Sequence, residues 1–120
     1  MKHLSLIFLL FGLSCTPIKN DKLLSFHVLS DCNLDSWPEV FDPKIVKTHS
    51  YDTLIVSASI YNNGCLKFDG DVKLLGNKIE LIYWNTTDHG CKEICEYRVT
   101  YKLLYDQHKS PEIKLKEKKL

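Results

Sequence analysis

The chain has 120 residues, of which 44% are hydrophobic and 26% charged, with four prolines and five glycines. This composition excludes collagen-like, low-complexity and wholly disordered proteins, and the length allows a single domain. The formal net charge of +1 gives no overall basic field, so we expect no nucleic-acid partner.

The N-terminal residues predict an export signal. A short basic start, Lys2-His3, precedes an apolar stretch over Leu4–Leu13. Ten helical residues span roughly 15 Å, about half the hydrocarbon core of a bilayer, which fits a signal peptide and not a transmembrane anchor.

The end of this stretch predicts lipid attachment. The sequence Gly12-Leu13-Ser14-Cys15 resembles the lipobox of bacterial lipoproteins, although Gly12 stands where that motif has leucine. We therefore expect residues 1–14 to be a lipoprotein signal peptide and Cys15 to carry lipid, with ordinary secretion or an uncleaved apolar start as the alternatives.

The next segments predict a tether and then a β domain. Residues 15–24 are polar, as expected of a tether between membrane and folded domain. We expect the β domain to occupy residues 25–108 and to begin with a short strand at residues 25–29. The proline- and aspartate-rich residues 31–43 predict a loop, whose Trp37 and Phe41 we expect to cover the core as a lid.

The centre of the chain predicts strands separated by glycine turns. Residues 45–48 and 53–61 alternate as strands, and the latter place Leu54, Val56, Ala58 and Ile60 on one face. Three turn dipeptides then follow, Asn63-Gly64, Asp69-Gly70 and Gly76-Asn77. They predict a meander with short strands at residues 65–68, 72–75 and 78–84.

The end of the chain predicts one more strand and a basic tail. Residues 95–105 fit a two-residue period better than a helical one, with the odd-numbered positions on the apolar face. Six or seven strands and no long amphipathic helix predict an all-β sandwich or barrel. Residues 109–120 carry a net charge of +3. We expect a solvated terminus there, with an edge strand through Ile113 and Leu115 or an electrostatic contact with anionic lipid as alternatives.

The cysteines of the domain predict two disulfides. Without Cys15 an even set remains, consisting of Cys32, Cys65, Cys91 and Cys95, as expected in an oxidising compartment. One arrangement pairs Cys91 with Cys95 and Cys32 with Cys65. The other joins Cys65 to one of the later two and Cys32 to the remaining one, and its longer loops gain more from closure.

The sequence contains no recognisable catalytic motif. Nucleophile elbows, glycine-rich phosphate loops and His-Glu-x-x-His are all absent. A zinc site at Cys91-x3-Cys95 with His89 and Cys65 would have only one of the two close ligand pairs that structural zinc sites usually have. We therefore expect no enzyme activity, no metal and no cofactor.

The whole arrangement is similar to the short, largely uncharacterised lipoproteins of Bacteroidota-type bacteria, which join a lipobox to a cysteine-bearing β domain. The matching end of the domain reads Cys-Glu-Tyr-Arg-Val-Thr-Tyr at residues 95–101. This resemblance implies a β fold in the cell envelope, at the outer membrane or cell surface, and brings no activity with it.

We expect this domain to bind another protein or a glycan, or to serve structurally. Candidate contact residues are Trp37, Tyr61 and Trp84, although core packing is the expected use of Trp84. A periplasmic enzyme inhibitor is the alternative function, and a small enzyme is a more remote one.

Overall fold

The computed structural model describes residues 19–106 and 110–119, and within them the protein forms seven β-strands and no helix. The predicted all-β fold is confirmed. None of the described residues belongs to a helix long and apolar enough to span a bilayer. The strands are β1 (Leu23–Asp31), β2 (Val46–Ser50), β3 (Thr53–Gly64), β4 (Phe68–Leu75), β5 (Lys78–Asn85), β6 (Cys91–Leu104) and β7 (Glu112–Glu117).

The strands form two sheets that pack as a sandwich. The four-stranded sheet has the order β1-β6-β3-β2, with every neighbouring pair antiparallel. The three-stranded sheet has the order β4-β5-β7, and β5 and β7 run parallel. This parallel pair is possible because the chain crosses to the other sheet as β6 before it returns as β7.

Alternation along the strands builds the core between the sheets. From Leu54 to Ile60 in β3 and from Cys95 to Leu103 in β6 every second side chain is buried in the core, as the sequence pattern predicts. The intervening residues face away from the core, and Ser59 among them is also buried. The three-stranded sheet covers the core side chains with apolar residues of its own. The buried apolar residues are Leu54, Val56, Ala58, Ile60, Val72, Ile79, Leu81, Cys95, Tyr97, Val99, Tyr101 and Leu103.

The predicted three-turn meander is wrong at two of its turns. Gly76-Asn77 does form the turn between the paired strands β4 and β5. Asp69-Gly70 instead lies inside β4, and residues 65–67 form a connection rather than a strand. Asn63-Gly64 ends β3, but the chain then crosses to the other sheet, because β3 pairs with β2 and β6.

Both ends of the domain are more ordered than the sequence predicts. The expectation of a solvated terminus over residues 109–120 is wrong for Glu112–Glu117, which form β7 along β5, so the edge-strand alternative is confirmed. The reason is that Ile113 and Leu115 pack against the buried core. At the other end β1 begins at Leu23, inside the predicted tether.

Residue 70 is a glycine although it lies inside a strand, because Phe26 leaves no room for a side chain at this position. A Cβ atom at this position would lie within 2.6 Å of Phe26 Cδ1, which is closer than real Cβ contacts allow. Phe26 in turn packs edge-on against Tyr101, with ring centroids 4.9 Å apart. Gly70 therefore lets the two sheets approach each other at this contact.

We expect Gly70→Ala to lower the free energy of unfolding by about 1–3 kcal/mol, because the added methyl group overpacks the contact with Phe26. Guanidinium unfolding measures the change. The double variant Gly70→Ala, Phe26→Leu is the control, since a smaller side chain at residue 26 makes room for the methyl group. Its loss should be smaller than the sum of the two single losses, and strict additivity would contradict the steric explanation.

Candidate functional site

The loop between β1 and β2 is fixed at both ends. Cys32 at its start forms a disulfide with Cys95 of β6. Near its end the carbonyl of Pro43 accepts a 2.6 Å hydrogen bond from the Ser59 N–H of β3. We call residues 33–44 the aromatic loop. These two contacts fix it to the two central strands of the four-stranded sheet, β6 and β3.

Aspartate side chains also stabilise the backbone at both ends of the loop, one from the last residue of β1 and one from the loop itself. The carboxylate of Asp31 accepts a 3.1 Å hydrogen bond from the Asn33 N–H, and that of Asp42 accepts one of 3.0 Å from the Lys44 N–H. Aspartate side chains commonly close turns in this way. Lys44 has a φ of 47°, in the left-handed region. The aromatic loop is therefore an ordered element of the fold.

The aromatic loop presents apolar side chains to solvent. Trp37 packs edge-on against Phe41 at 6.3 Å between ring centroids, and Phe41 lies against Tyr61 of β3 at 5.8 Å. The exposed fractions are 43% for Trp37, 74% for Val40 and 62% for Phe41. We call Trp37, Val40, Phe41 and Tyr61 the aromatic surface.

The prediction that Trp37 and Phe41 cover the core is wrong. Neither belongs to the side chains that pack against the buried cluster. The core residues of β3, from Leu54 to Ile60, are even-numbered, and Tyr61 is odd-numbered, so its ring faces away from the core. The rings of Trp37 and Phe41 lie on the same outer side as Tyr61, because the hydrogen bond between Ser59 and Pro43 holds the loop beside β3.

A polar network lies beside the aromatic surface on the outer face of the four-stranded sheet. Arg98 donates hydrogen bonds to the hydroxyl oxygens of Ser59, at 2.7 Å, and Ser57, at 3.0 Å. The Ser59 hydroxyl donates to Glu96 Oε2 at 2.6 Å, and the Tyr61 hydroxyl donates to the same oxygen at 3.4 Å. Glu96 and Arg98 are half-buried. Because the Tyr61 hydroxyl is bonded to Glu96, this network fixes the position of Tyr61.

Lys44 extends this network from the loop. Its Nζ lies 3.7 Å from Glu96 Oε2 and 5.8 Å from the centre of the Tyr61 ring. The Tyr61 hydroxyl, and next the negative charge of Glu96, raise the pKa of Lys44 above its ordinary value. Lys44 therefore stays protonated at neutral pH and places a positive charge at the rim of the aromatic surface.

An apolar groove continues from Phe41 into the open side of the sandwich. It has a volume of about 480 Å³ and runs between the segment that precedes β2 and the edge strand β7. Apolar side chains of both sheets form its walls. Its lining residues include Phe41, Pro43, Ile45, Ile60, Ile113 and Leu115.

Trp84 lies on the opposite side of the molecule, and the expectation that it packs in the core is wrong. Ile79 and Leu81 of β5 are fully buried, so the two-residue period turns Trp84 to the outer face of the three-stranded sheet. There the Nζ atoms of Lys19 and Lys118 lie 5.9 Å and 5.2 Å from the centre of its ring. Trp84 is therefore half-buried between two lysines.

The cysteines are paired as in the second of the two arrangements, with Cys32 joined to Cys95 and Cys65 to Cys91. The ligand atoms of Cys65, Cys91 and Glu93 lie within 4.8 Å of one another. The sulfur atoms of Cys65 and Cys91 are bonded to each other in a disulfide, so a metal ion would have only the Glu93 carboxylate to bind. Two disulfides indicate an oxidising, non-cytoplasmic location, which is compatible with export. Cys15 lies outside the described residues.

Sequence reasoning singled out Trp37, Tyr61 and Trp84, and the structure brings the first two together but not the third. It missed Lys44, Glu96 and Arg98. Glu96 and Arg98 alternate with the buried residues of β6, so their side chains point to the outer face. This alternation was the only feature of the sequence that could have indicated their position. No family model, no curated protein and no solved structure matches this chain.

We expect removal of the Cys32–Cys95 disulfide to destabilise the domain more than removal of the other. The two bonds close chain segments of 63 and 26 residues, and loop-closure entropy assigns them about 4 and about 3.5 kcal/mol. The matched variants are Cys32→Ala with Cys95→Ala, and Cys65→Ala with Cys91→Ala.

Urea unfolding and limited proteolysis together test this expectation. Only the first variant should also admit protease cleavage within residues 33–44, because it alone frees the start of the aromatic loop. Equal cleavage in both variants would show that the disulfide is not what orders the loop.

Proposed function

We propose that the protein is exported, anchored by lipid on Cys15 at the outer membrane or cell surface, and binds a partner protein through its aromatic surface. The observation that carries the binding role is the exposure of Trp37, Val40 and Phe41 on a loop fixed at both ends. The anchor is supported by the apolar start and the lipobox-like sequence at residues 12–15.

The composition of the surface favours a protein partner. Trp37 and Phe41 are exposed and lie beside the half-buried Tyr61. Tryptophan, tyrosine and phenylalanine are typical of the residues that dominate protein interfaces when they enter a partner's pockets. Lys44 and Glu96 give the rim charges that steer and orient an approaching protein. Because the loop is already ordered, binding costs less conformational entropy than it would for a mobile segment.

Inhibition of an envelope enzyme is a specific form of this proposal. A loop whose ends are held by a disulfide and a main-chain hydrogen bond has less conformational freedom to lose when it enters a concave site. The side chains that would enter such a site are the exposed Val40 and Phe41. In this case the partner is a hydrolase, and its activity falls on binding.

We expect Trp37→Ala with Phe41→Ala to weaken partner binding by about 100-fold or more, since loss of an aromatic hot-spot residue costs about 2 kcal/mol or more. Tyr51→Ala is the matched control, because Tyr51 is also an exposed aromatic residue but lies in the turn between β2 and β3.

The measurement is quantitative capture from envelope extract, followed by titration of the purified partner. Support requires a stoichiometric protein that the original chain and Tyr51→Ala retain and the double variant loses. Equal retention by all three, or binding only to isolated glycans, would contradict the proposal.

The lipid anchor has its own test. We expect the mass of the native mature chain to correspond to cleavage before Cys15, diacyl or triacyl modification of that residue, and no free thiol among the other four cysteines. Membrane release by a detergent, and not by high salt, should accompany this mass. A mature chain that begins elsewhere, or an unmodified Cys15, would remove the anchor from the proposal and leave the binding surface untouched.

A further inference from the structure

We propose that the outer face of the three-stranded sheet, around Trp84, lies on an anionic lipid surface when the protein is anchored. This inference rests on the proposed lipid at Cys15. We call Lys19, Trp84, Lys114, Lys116 and Lys118 the basic face. The occupant it fits is the headgroup layer of the membrane that holds the anchor.

The distance from the anchor to the fold is short. Only Thr16, Pro17 and Ile18 separate Cys15 from Lys19, and a fully extended chain covers at most about 14 Å over these four steps. Lipid on Cys15 would hold this residue at the membrane surface. The basic face, which begins at Lys19, therefore lies within reach of the lipid headgroups.

Lys19 is fixed to the sheet. Its ammonium group forms an ion pair with Asp69 of β4, and the N–H of Asn20 donates a 3.0 Å hydrogen bond to Asp71 of the same strand. Partial burial tends to raise the pKa of Asp69, but its hydrogen bonds from Lys19 and the Gly70 N–H and the charge of Lys19 together lower it. These contacts keep the point where the chain enters the fold beside Trp84.

Lysines line the neighbouring edge of the same face. Ile113 and Leu115 of β7 pack towards the core, so Lys114 and Lys116 point to the other side. The carboxylates of Asp69 and Asp71 on β4 are engaged by Lys19 and by main-chain N–H groups. Glu80 of β5, which pairs with Lys114, and Glu112 of β7 also lie on this face. With Lys73 and Lys78 included, six lysines face these four carboxylates, so the face keeps a positive balance. Within residues 19–106 and 110–119, no carboxylate lies within ion-pair distance of Lys114, Lys116 or Lys118.

Trp84 completes the chemistry expected at a membrane interface. Tryptophan is enriched at the level of lipid headgroups, where its ring contacts apolar chains and its N–H contacts water or phosphate. Of the two lysines beside its ring, Lys19 shares its charge with Asp69, and Lys118 places positive charge where anionic headgroups would lie. A basic strand with an adjacent tryptophan therefore matches an anionic lipid surface in both charge and polarity.

This orientation leaves the other outer face free. Tyr61, Glu96 and Arg98 lie on the outer face of the four-stranded sheet, on the far side of the core from Trp84. A domain resting on its basic face would therefore direct this part of the surface away from the membrane, where a partner can approach it.

We expect the unacylated mature chain, residues 15–120 with Cys15→Ser, to bind vesicles of phosphatidylcholine with about 30% phosphatidylglycerol and not vesicles of phosphatidylcholine alone. This chain retains every residue that the structure describes. The variant Lys114→Gln, Lys116→Gln, Lys118→Gln should bind about 100-fold more weakly, since each lysine near an anionic surface contributes about fivefold. Binding should also fall between about 0.1 and about 0.5 M salt, because salt screens exposed charges.

The matched control is Lys47→Gln, Lys92→Gln, Lys102→Gln, which removes three exposed lysines from the four-stranded sheet. Retained binding by this control supports the proposal. An equal loss in both variants would show attraction by net charge alone and overturn it, as would failure of the original chain to bind anionic vesicles.

Fluorescence separates the two tryptophans. In the Trp37→Phe variant the remaining Trp84 emission should shift to shorter wavelength and be quenched by brominated lipid. In the Trp84→Phe variant the Trp37 emission should do neither. The reverse pattern would place the aromatic loop, and not the basic face, at the membrane. These experiments need no lipid on Cys15, so their failure is distinct from failure of the anchor.

Discussion

The long central strand β6 is the constraint on which the rest of the structure depends. It pairs with β1 on one side and β3 on the other, and both disulfides end on it, at Cys91 and Cys95. The side chains on its inner face form the centre of the core. Burial raises the pKa of Tyr101, assisted by nearby Tyr83 and Asp71, and its hydroxyl donates a hydrogen bond to the Ile82 carbonyl in the facing sheet. Register and sheet contact are thus fixed by one segment.

The same strand links the core to the candidate binding surface. Cys95 is fully buried and holds the start of the aromatic loop, while its neighbour Glu96 faces outward and holds Tyr61 and Lys44. Because adjacent residues of a strand point to opposite faces, the loop and the polar network are positioned by consecutive residues of one strand. A shift of β6 by one residue would exchange these roles and remove both.

The sequence was informative wherever burial alone decides the structure. Alternation predicted β3, β5 and β6, since one face of each must be apolar to form a core. It failed where a distant contact decides. The dipeptide Asp69-Gly70 is typical of a turn, but it lies inside β4. Glycine is required there because the ring of Phe26, 44 positions earlier in the chain, leaves no room for a side chain. Likewise the lysines of β7 suggest a solvated tail until β5 supplies a strand for Ile113 and Leu115 to join.

The two proposed surfaces differ in how far the sequence could have located them. Trp84 and the β7 lysines of the basic face follow from alternation once β5 and β7 are known to pair, so for these residues only the pairing was missing. The aromatic surface needs two long-range constraints, the choice of Cys95 over Cys65 or Cys91 as partner of Cys32 and the bond from Ser59 to Pro43. Local patterns carry no information about either.

A disulfide between Cys32 and Cys65 would attach the start of the loop to the connection after β3 instead of to β6. The side chains of the loop would then lose their fixed relation to Tyr61 and Glu96. Disulfide connectivity is therefore the step that turns a polar, aspartate-rich loop into an ordered aromatic surface.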